Sequence, residues 1–377
     1  MRGSTLRRGS TWTAYWSSVD PASGKRRQHS KGGFRTQKAA RSHLNSIMDR
    51  VDQGAWRPDA RLTVDQLLTN WLAAKRSEGL RPNTISLYTT AVNAWVVPHV
   101  GGLDVRQLTP AVASDLVDEL RTSGSRLGRG GISQRSLQLA VTVLKAATSW
   151  ALTTGLLGRD PLAGYKRPRA TSRTMTSWST EEARAFLAAT RDDRLAFAWA
   201  LLLCRGLRRG ELAGLRWSDI DLAGPVARVN RTRVLVDGHA VESDPKTAAG
   251  RRAVPLDAML VELLKSHRAR QAAEKLGAGP AYEDGGWLVA DELGRPLYPD
   301  YVSERFAHLT RAAGLRPIRL HDTRHSAASL MLASGVPVKV VADLLGHDPK
   351  VTLATYAHVI PGMGEQAGAA LSASLLG

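Results

Sequence analysis

In the stretch Val64-Asp65-Gln66-Leu67-Leu68-Thr69-Asn70-Trp71-Leu72 the apolar side chains fall at 64, 67, 68, 71 and 72. Three- and four-residue spacing of this kind lines one face of an α-helix. The same period returns in Ile85, Tyr88, Val92 and Trp95, in Val112, Leu116, Val117 and Leu120, and in Leu137, Val141, Leu144, Ala147 and Trp150. Arg81-Pro82-Asn83, Thr109-Pro110 and the glycine-rich run 124–131 supply the joints. Four amphipathic helices on short connections predict a compact helical domain over residues 61–158.

Upstream the character changes. Residues 1–60 hold twelve Lys or Arg against four Asp. Trp12, Ala14 and Trp16 alternate as one face of a strand, Asp20, Pro21, Ser23 and Gly24 carry turn chemistry, and a second short strand is expected through Arg26 and Arg27. The segment from Thr36 to Gly54, with Ala40, Leu44, Ile47, Met48 and Val51, reads as a helix backing that small sheet.

Downstream, residues 159–178 lose periodicity and carry Lys166, Arg167, Arg169 and Arg173, the composition of a basic linker. Ser179 and Glu182 then form a capping box ahead of a helix over Glu181 to Ala189. The last domain, 179–377, is expected to be mostly helical. A β stretch through Val226, Val229, Val234 and Val236 leads to an Asp237-Gly238 turn and a return strand at Val241. The expected fold class is therefore a mainly α multidomain (α+β) chain, with small sheets in its first and last domains.

Length and charge agree with this. A chain of 377 residues exceeds a usual single core. Its 52 Lys and Arg against 34 Asp and Glu leave a formal +18, which points to a polyanionic partner, nucleic acid first. Cys204 is the one cysteine and ends an apolar run, so it reads as a core residue. That run, Leu195 to Cys204, is about half the ~20 residues a membrane span needs, and no signal peptide follows Met1.

The chemistry-bearing residues sit in the last domain. Gly206-Leu207-Arg208-Arg209-Gly210-Glu211 follows an apolar helix, and Lys246 lies in the polar turn after the strands. His321-Asp322-Thr323-Arg324 opens a helix, Gly346-His347-Asp348 comes next, and Tyr356 stands nine residues after His347. From Ser179 to His358 this order closely resembles the tyrosine recombinases, the phage integrase family. The helical domain is similar to that family's SAM-like core-site-binding domain. The basic first module, with its Gly-Lys-Arg-Arg turn, is similar to the arm-site-binding domain of lambda-type integrases.

The residues make sense on their own terms. A phosphodiester repels nucleophiles, and an arginine fork matches two phosphate oxygens at once, a task suited to Arg208 and Arg324. A phenol with a pKa of about 10 is ionised in only about one molecule per thousand at pH 7, so it needs a base or a cationic field. The resemblance implies that Tyr356 is the nucleophile, that His321 assists its proton movement, that Lys246 protonates the departing 5′ oxygen and that His347 hydrogen-bonds the phosphate. It implies a 3′-phosphotyrosyl intermediate, integration or excision of a mobile element or prophage, and a homotetramer on double-stranded DNA with core and arm-type sites. An accessory DNA-bending or directionality factor, and a place with the nucleoid in the bacterial cytoplasm, belong to the same expectation. Arg26, Arg27, Lys31, Arg35, Lys166, Arg167 and Arg169 are the expected DNA contacts. No cofactor, metal or membrane partner is expected.

Set against these readings, a lone Arg, Lys or Tyr is usually a solvated surface residue, and only the joint pattern lifts this set. His321 and His325 stand four apart, a spacing that could hold a metal, but no third ligand is evident; His325 reads as a packing residue and Glu211 as one that orients an arginine. A host Xer-type recombinase uses the same chemistry but normally lacks the basic first module. A type IB topoisomerase would share the catalytic set, and a non-catalytic DNA-binding regulator would have had no reason to keep it. Residues 364–377, with Ala367, Leu371, Leu375 and Leu376, are expected to form a tail docking on a neighbouring subunit.

Overall fold

A computed structural model describes residues 3–19, 26–52, 62–124, 130–168, 176–244, 250–356 and 372–376. The chain divides into two compact units, Met1–Thr171 and Ser172–Gly377.

The first unit opens with an antiparallel sheet of β1 (Ser4–Arg8), β2 (Thr11–Val19) and β3 (Arg26–Phe34), in that order. The alternation in β2 puts Ala14 and Trp16 against Leu44 and Ile47 of α1 (Gln37–Asp52). Strand β1 was not expected, because its Arg7 and Arg8 form an exposed edge without hydrophobic alternation.

The four helical patterns become α2 (Val64–Ser77), α3 and α4 (Pro82–Ala91 and Val97–Val100), α5 (Pro110–Ser123) and α6 (Gln134–Thr153). Thr63 and Gln66 close a reciprocal capping box at the start of α2. Between α3 and α4 the turn Val92–Val96 is a π-helix in which the Val97 N–H donates to Val92 O. The wider turn directly precedes Pro98, which has no N–H to give and whose ring crowds the carbonyl four residues back. Leu67, Leu68, Trp71, Leu116, Leu120, Leu144 and Leu162 meet in one apolar interior, each large side chain contributing about 1.5–3 kcal/mol by leaving water. The chain leaving α6 is tied back to it, since Gln138 Nε2 donates to Pro168 O at 2.8 Å and Lys145 Nζ to Tyr165 O. Lys166 and Arg167 remain exposed there.

The second unit begins with α7 (Thr180–Ala189), capped by Ser179 and Glu182 as expected. The apolar α8 (Ala196–Arg205) runs through its centre, followed by the short α9 (Arg209–Ala213). The expected single β stretch is two pieces. β4 (Ile220–Asp221), β5 (Val226–Val229) and β8 (Arg252–Pro255) form one sheet, and β6 (Thr232–Val236) with β7 (His239–Ser243) forms a separate hairpin. Asp237 and Gly238 turn that hairpin with φ of 50° and 82°, the left-handed pair such a tight turn requires. Among the described residues the unit continues through α10 (Ala258–Ala278), α11 (Pro299–Ala312), α12 (Asp322–Ala333), α13 (Val338–Leu345) and α14 (Pro349–Tyr356).

One expectation changes. Cys204 is exposed, because it lies on the face of α8 turned away from the interior. Of the tail, Ala367 and Leu371 lie outside the described residues, while Leu375 and Leu376 are exposed in a short helical turn, 372–376. Among the described residues no helix is long and apolar enough to cross a membrane.

Candidate active site

Two helix ends build the centre of the site. α8 stops at Gly206 and α13 at Gly346, each glycine in the left-handed conformation with φ of 62°. A Cβ on Gly206 would lie 2.4 Å from Leu345 Cδ2, so glycine is what lets the two ends approach.

The last carbonyls of a helix have no partner within it and carry partial negative charge. At the end of α13 three consecutive carbonyls each accept from a different arginine. Leu344 O takes Arg252 Nε at 2.6 Å, Leu345 O takes Arg324 Nη2, and Gly346 O takes Arg208 Nη2 at 3.3 Å. Gly206 O takes the other fork of Arg324, Nη1, at 2.6 Å.

Arg324 is 2% exposed. Burial, and then the neighbouring Arg208 cation, pull its pKa down to about 9, which leaves it charged at neutral pH. Arg208 is more open, with 36% of its side chain exposed. It caps the start of α9, where its N–H and guanidinium both bond Glu211. Glu211 is 1% exposed and also receives Arg252 Nη1 and Nη2 at 3.0 and 2.9 Å. Burial pushes the Glu211 carboxyl up, but Arg252 and Arg208 outweigh it and hold the pKa at about 2. Among the described residues two guanidiniums therefore share one carboxylate with the third, that of Arg324, beside them on backbone carbonyls, and the surplus positive charge fits an anion.

His347 follows Gly346 directly. Burial, then the cations of Arg324, Arg208 and Arg252, lower its pKa to about 4, so the imidazole is neutral at pH 7. Its Nδ1 is buried without a hydrogen-bond partner among the described residues.

Tyr356 ends α14 and is 1% exposed, packed on Ala328, Leu332, Val341 and Leu345. Burial raises its phenol to about 12, with the Arg324 cation acting the other way. Its hydroxyl lies 2.6 Å from His325 Nδ1. His321, at the start of α12, meets His325 edge-on at 5.5 Å between ring centres, and no hydrogen bond joins it to Tyr356.

Of the residues expected from the sequence, the second unit thus brings Arg208, Arg324, His347 and Tyr356 around the end of α13, with His321 one ring further out. Lys246 and Arg169 lie outside the described residues, as do the side chains of Arg26 and Arg27. Lys31 and Arg35 are exposed. Sequence reasoning missed Arg252 and His325. The only available signal was the four-residue spacing of His321 and His325, which placed both rings on one helix face.

Residues 177–362 match the phage integrase family, and residues 4–50 match the Arm DNA-binding domain family. A tyrosine recombinase XerC-like protein of Caldanaerobacter subterraneus subsp. tengcongensis is 32% identical over 256 residues, 63% of this chain and 66% of that protein. The ICEBs1 integrase of Bacillus subtilis (strain 168) is 27% identical over 286 residues, 74% of this chain and 75% of that protein. Two solved structures share the fold. The Tn1549 transposon integrase in complex with transposon right end DNA aligns with a TM-score of 0.65 at 20% identity, over 82% of this chain and 98% of its own. A lambda integrase dimer bound to a COC′ core site aligns with a TM-score of 0.57 at 19% identity, over 93% of each chain. The chain belongs to the tyrosine recombinases of the phage integrase family and is a site-specific recombinase of the integrase type.

Proposed function

We propose that Tyr356 is the nucleophile of this recombinase and that Arg208 and Arg324 hold the scissile phosphate. The carrying observation is the convergence at the end of α13, where three arginines from distant parts of the chain grip three consecutive carbonyls beside Tyr356 and two of them, Arg208 and Arg252, share one carboxylate. That excess of positive charge stabilises the pentacoordinate phosphorus as its charge grows. Each donor so placed is worth about 2.7–4 kcal/mol in the transition state. His347, neutral and with Nδ1 unsatisfied, hydrogen-bonds a non-bridging oxygen. Lys246 delivers a proton to the 5′ oxygen, and His321 supports proton movement at the site. The products are a 3′-phosphotyrosyl link and a free 5′-hydroxyl. One phosphodiester is exchanged for another, so rejoining to a new strand needs no ATP.

Residues 1–60 bind arm-type sites through Arg26, Arg27, Lys31 and Arg35, a reading supported by the Arm DNA-binding match. Residues 61–158 and the linker 159–178, through Lys166, Arg167 and Arg169, bind the core site. The active assembly is a homotetramer, as in the lambda integrase tetramer solved on a Holliday junction, joined by a DNA-bending or directionality factor and working at the nucleoid in the cytoplasm. Directionality selects integration or excision of the element.

The test uses a nicked duplex isolated by covalent capture from a randomised pool. On denaturing gels the intact chain forms a protein–DNA adduct, and Tyr356→Phe forms none while keeping DNA binding and melting temperature. An adduct formed by Tyr356→Phe would refute the assignment.

A further inference from the structure

We propose that His325 is the group that accepts the proton of Tyr356, holding the phenol by its hydrogen bond before cleavage and taking the proton as the O–P bond forms. The inference rests on Tyr356 being the nucleophile and adds a residue that the order of motifs in the sequence did not mark.

The geometry sets the direction of the bond. The Tyr356 hydroxyl and His325 Nδ1 are 2.6 Å apart in part-buried surroundings. Among the described residues the hydroxyl has no other partner. If Nδ1 donated, the phenolic hydrogen would have no acceptor among the described residues, whereas a phenol, the stronger acid, donates readily to an imidazole nitrogen. The phenol therefore donates, and the imidazole carries its own proton on Nε2.

Position reinforces the direction. Arg324 and His325 are adjacent on α12, so the cation that binds phosphate and the base that faces the phenol move on one helix. The groups around the ring are His321, edge-on at 5.5 Å, the Arg319 and Arg324 cations, the Asp322 carboxylate, His347 and Tyr356. Burial, against the pull of Asp322, keeps the imidazole pKa below its ordinary value, so it is free to accept at neutral pH.

The step balances. The phenol proton passes to His325 Nδ1 as the phenolic oxygen bonds to phosphorus. The P–O5′ bond breaks, and the 5′ oxygen takes a proton from the acid, assigned above to Lys246. On rejoining, a 5′-hydroxyl attacks and gives its proton back to Lys246, while His325 returns its proton to the departing phenolate.

Two measurements test this. In the ¹⁵N-histidine NMR spectrum of the full chain, His325 is expected as the Nε2–H tautomer, with its Nδ1 shift changed in Tyr356→Phe. An Nδ1–H tautomer overturns the proposal without any variant of His325 needing to fold. The second measurement is the rate of adduct formation on the captured nicked duplex from pH 5 to 10. The intact chain is expected to rise to a plateau through an inflection below pH 6.5, and His321→Asn is expected to keep that inflection. In His325→Gln the amide oxygen can accept the hydrogen bond but cannot take the proton. Its rate is expected to fall by about 10²-fold at pH 7 and to climb tenfold per pH unit with phenol ionisation. A His325→Gln profile matching the intact chain in both height and shape rules the proposal out. Loss of the adduct in Tyr356→Phe, read on the same duplex, keeps the nucleophile assignment separate from this result.

Discussion

Between residues 62 and 168 the described interior holds one buried polar side chain, Thr148; between 176 and 356 it holds twelve, including Glu211, Asp219, Arg233, His267, Asp322 and Arg324. The helical region is stabilised almost wholly by apolar burial, which has no direction and tolerates small shifts. The catalytic unit keeps charges out of water, where each ion costs several kcal/mol unless it is paired and hydrogen-bonded. One region needs shape. The other needs a specific set of oxygens and nitrogens at specific distances, and that requirement is the signature of a place built for chemistry.

The largest expected effect comes from removing the shared carboxylate. Glu211→Ala strands Arg252, whose side chain is 6% exposed, and is expected to destabilise the chain by about 3–5 kcal/mol while abolishing adduct formation. Leu144→Ala in the helical region is expected to cost about 2–5 kcal/mol and to leave the rate per folded molecule intact. Denaturant titration paired with adduct kinetics measures both; equal losses of rate would erase the distinction between the regions.

A smaller effect should appear in acid. His267 Nε2 donates to Leu288 O at 2.8 Å, and the ring stacks on Phe197 at 4.0 Å. Its pKa is lowered to about 4 by burial, as is that of His347. A histidine that resists protonation when folded gives its stability in full above its unfolded pKa of about 6.5, and loses it as pH falls toward 4. Amide exchange, corrected for its intrinsic pH dependence, should show protection in α10, α12 and α13 falling between pH 6.5 and 4, with α6 unchanged over that interval. Equal loss in α6 would contradict this.

The smallest effect treats both regions alike. Thr63→Ala and Ser179→Ala each remove a capping-box oxygen and are expected to cost about 1 kcal/mol apiece, read from thermal melts. A cap worth several kcal/mol in one region would mean that it supports more than its own helix.

Local pattern made much of this legible. Periodicity located α2, α5 and α6, Ser179 with Glu182 located the start of α7, and Asp237-Gly238 located the hairpin, because each depends on residues within one or two turns. The split of the β stretch into two sheets was not legible, since β5 pairs with β8 about 25 residues on, a partner that only tertiary packing selects. In the site, Arg208, Arg324, His347 and Tyr356 were readable from their order and local setting. Arg252 was hidden beside Arg251, since only burial against Glu211 tells them apart. His325 was hidden because its partner lies 31 residues later on another helix.

The grips that α13 itself supplies to the three arginines are peptide oxygens rather than side chains. Substitutions at Leu344 or Leu345 can therefore vary the packing without deleting a ligand, whereas a rotation of the helix as a rigid rod would disturb all three grips together. The proposed anion pocket is mechanically a single joint: sequence drift can pass over it, and a small twist of one short helix would disturb it as a whole.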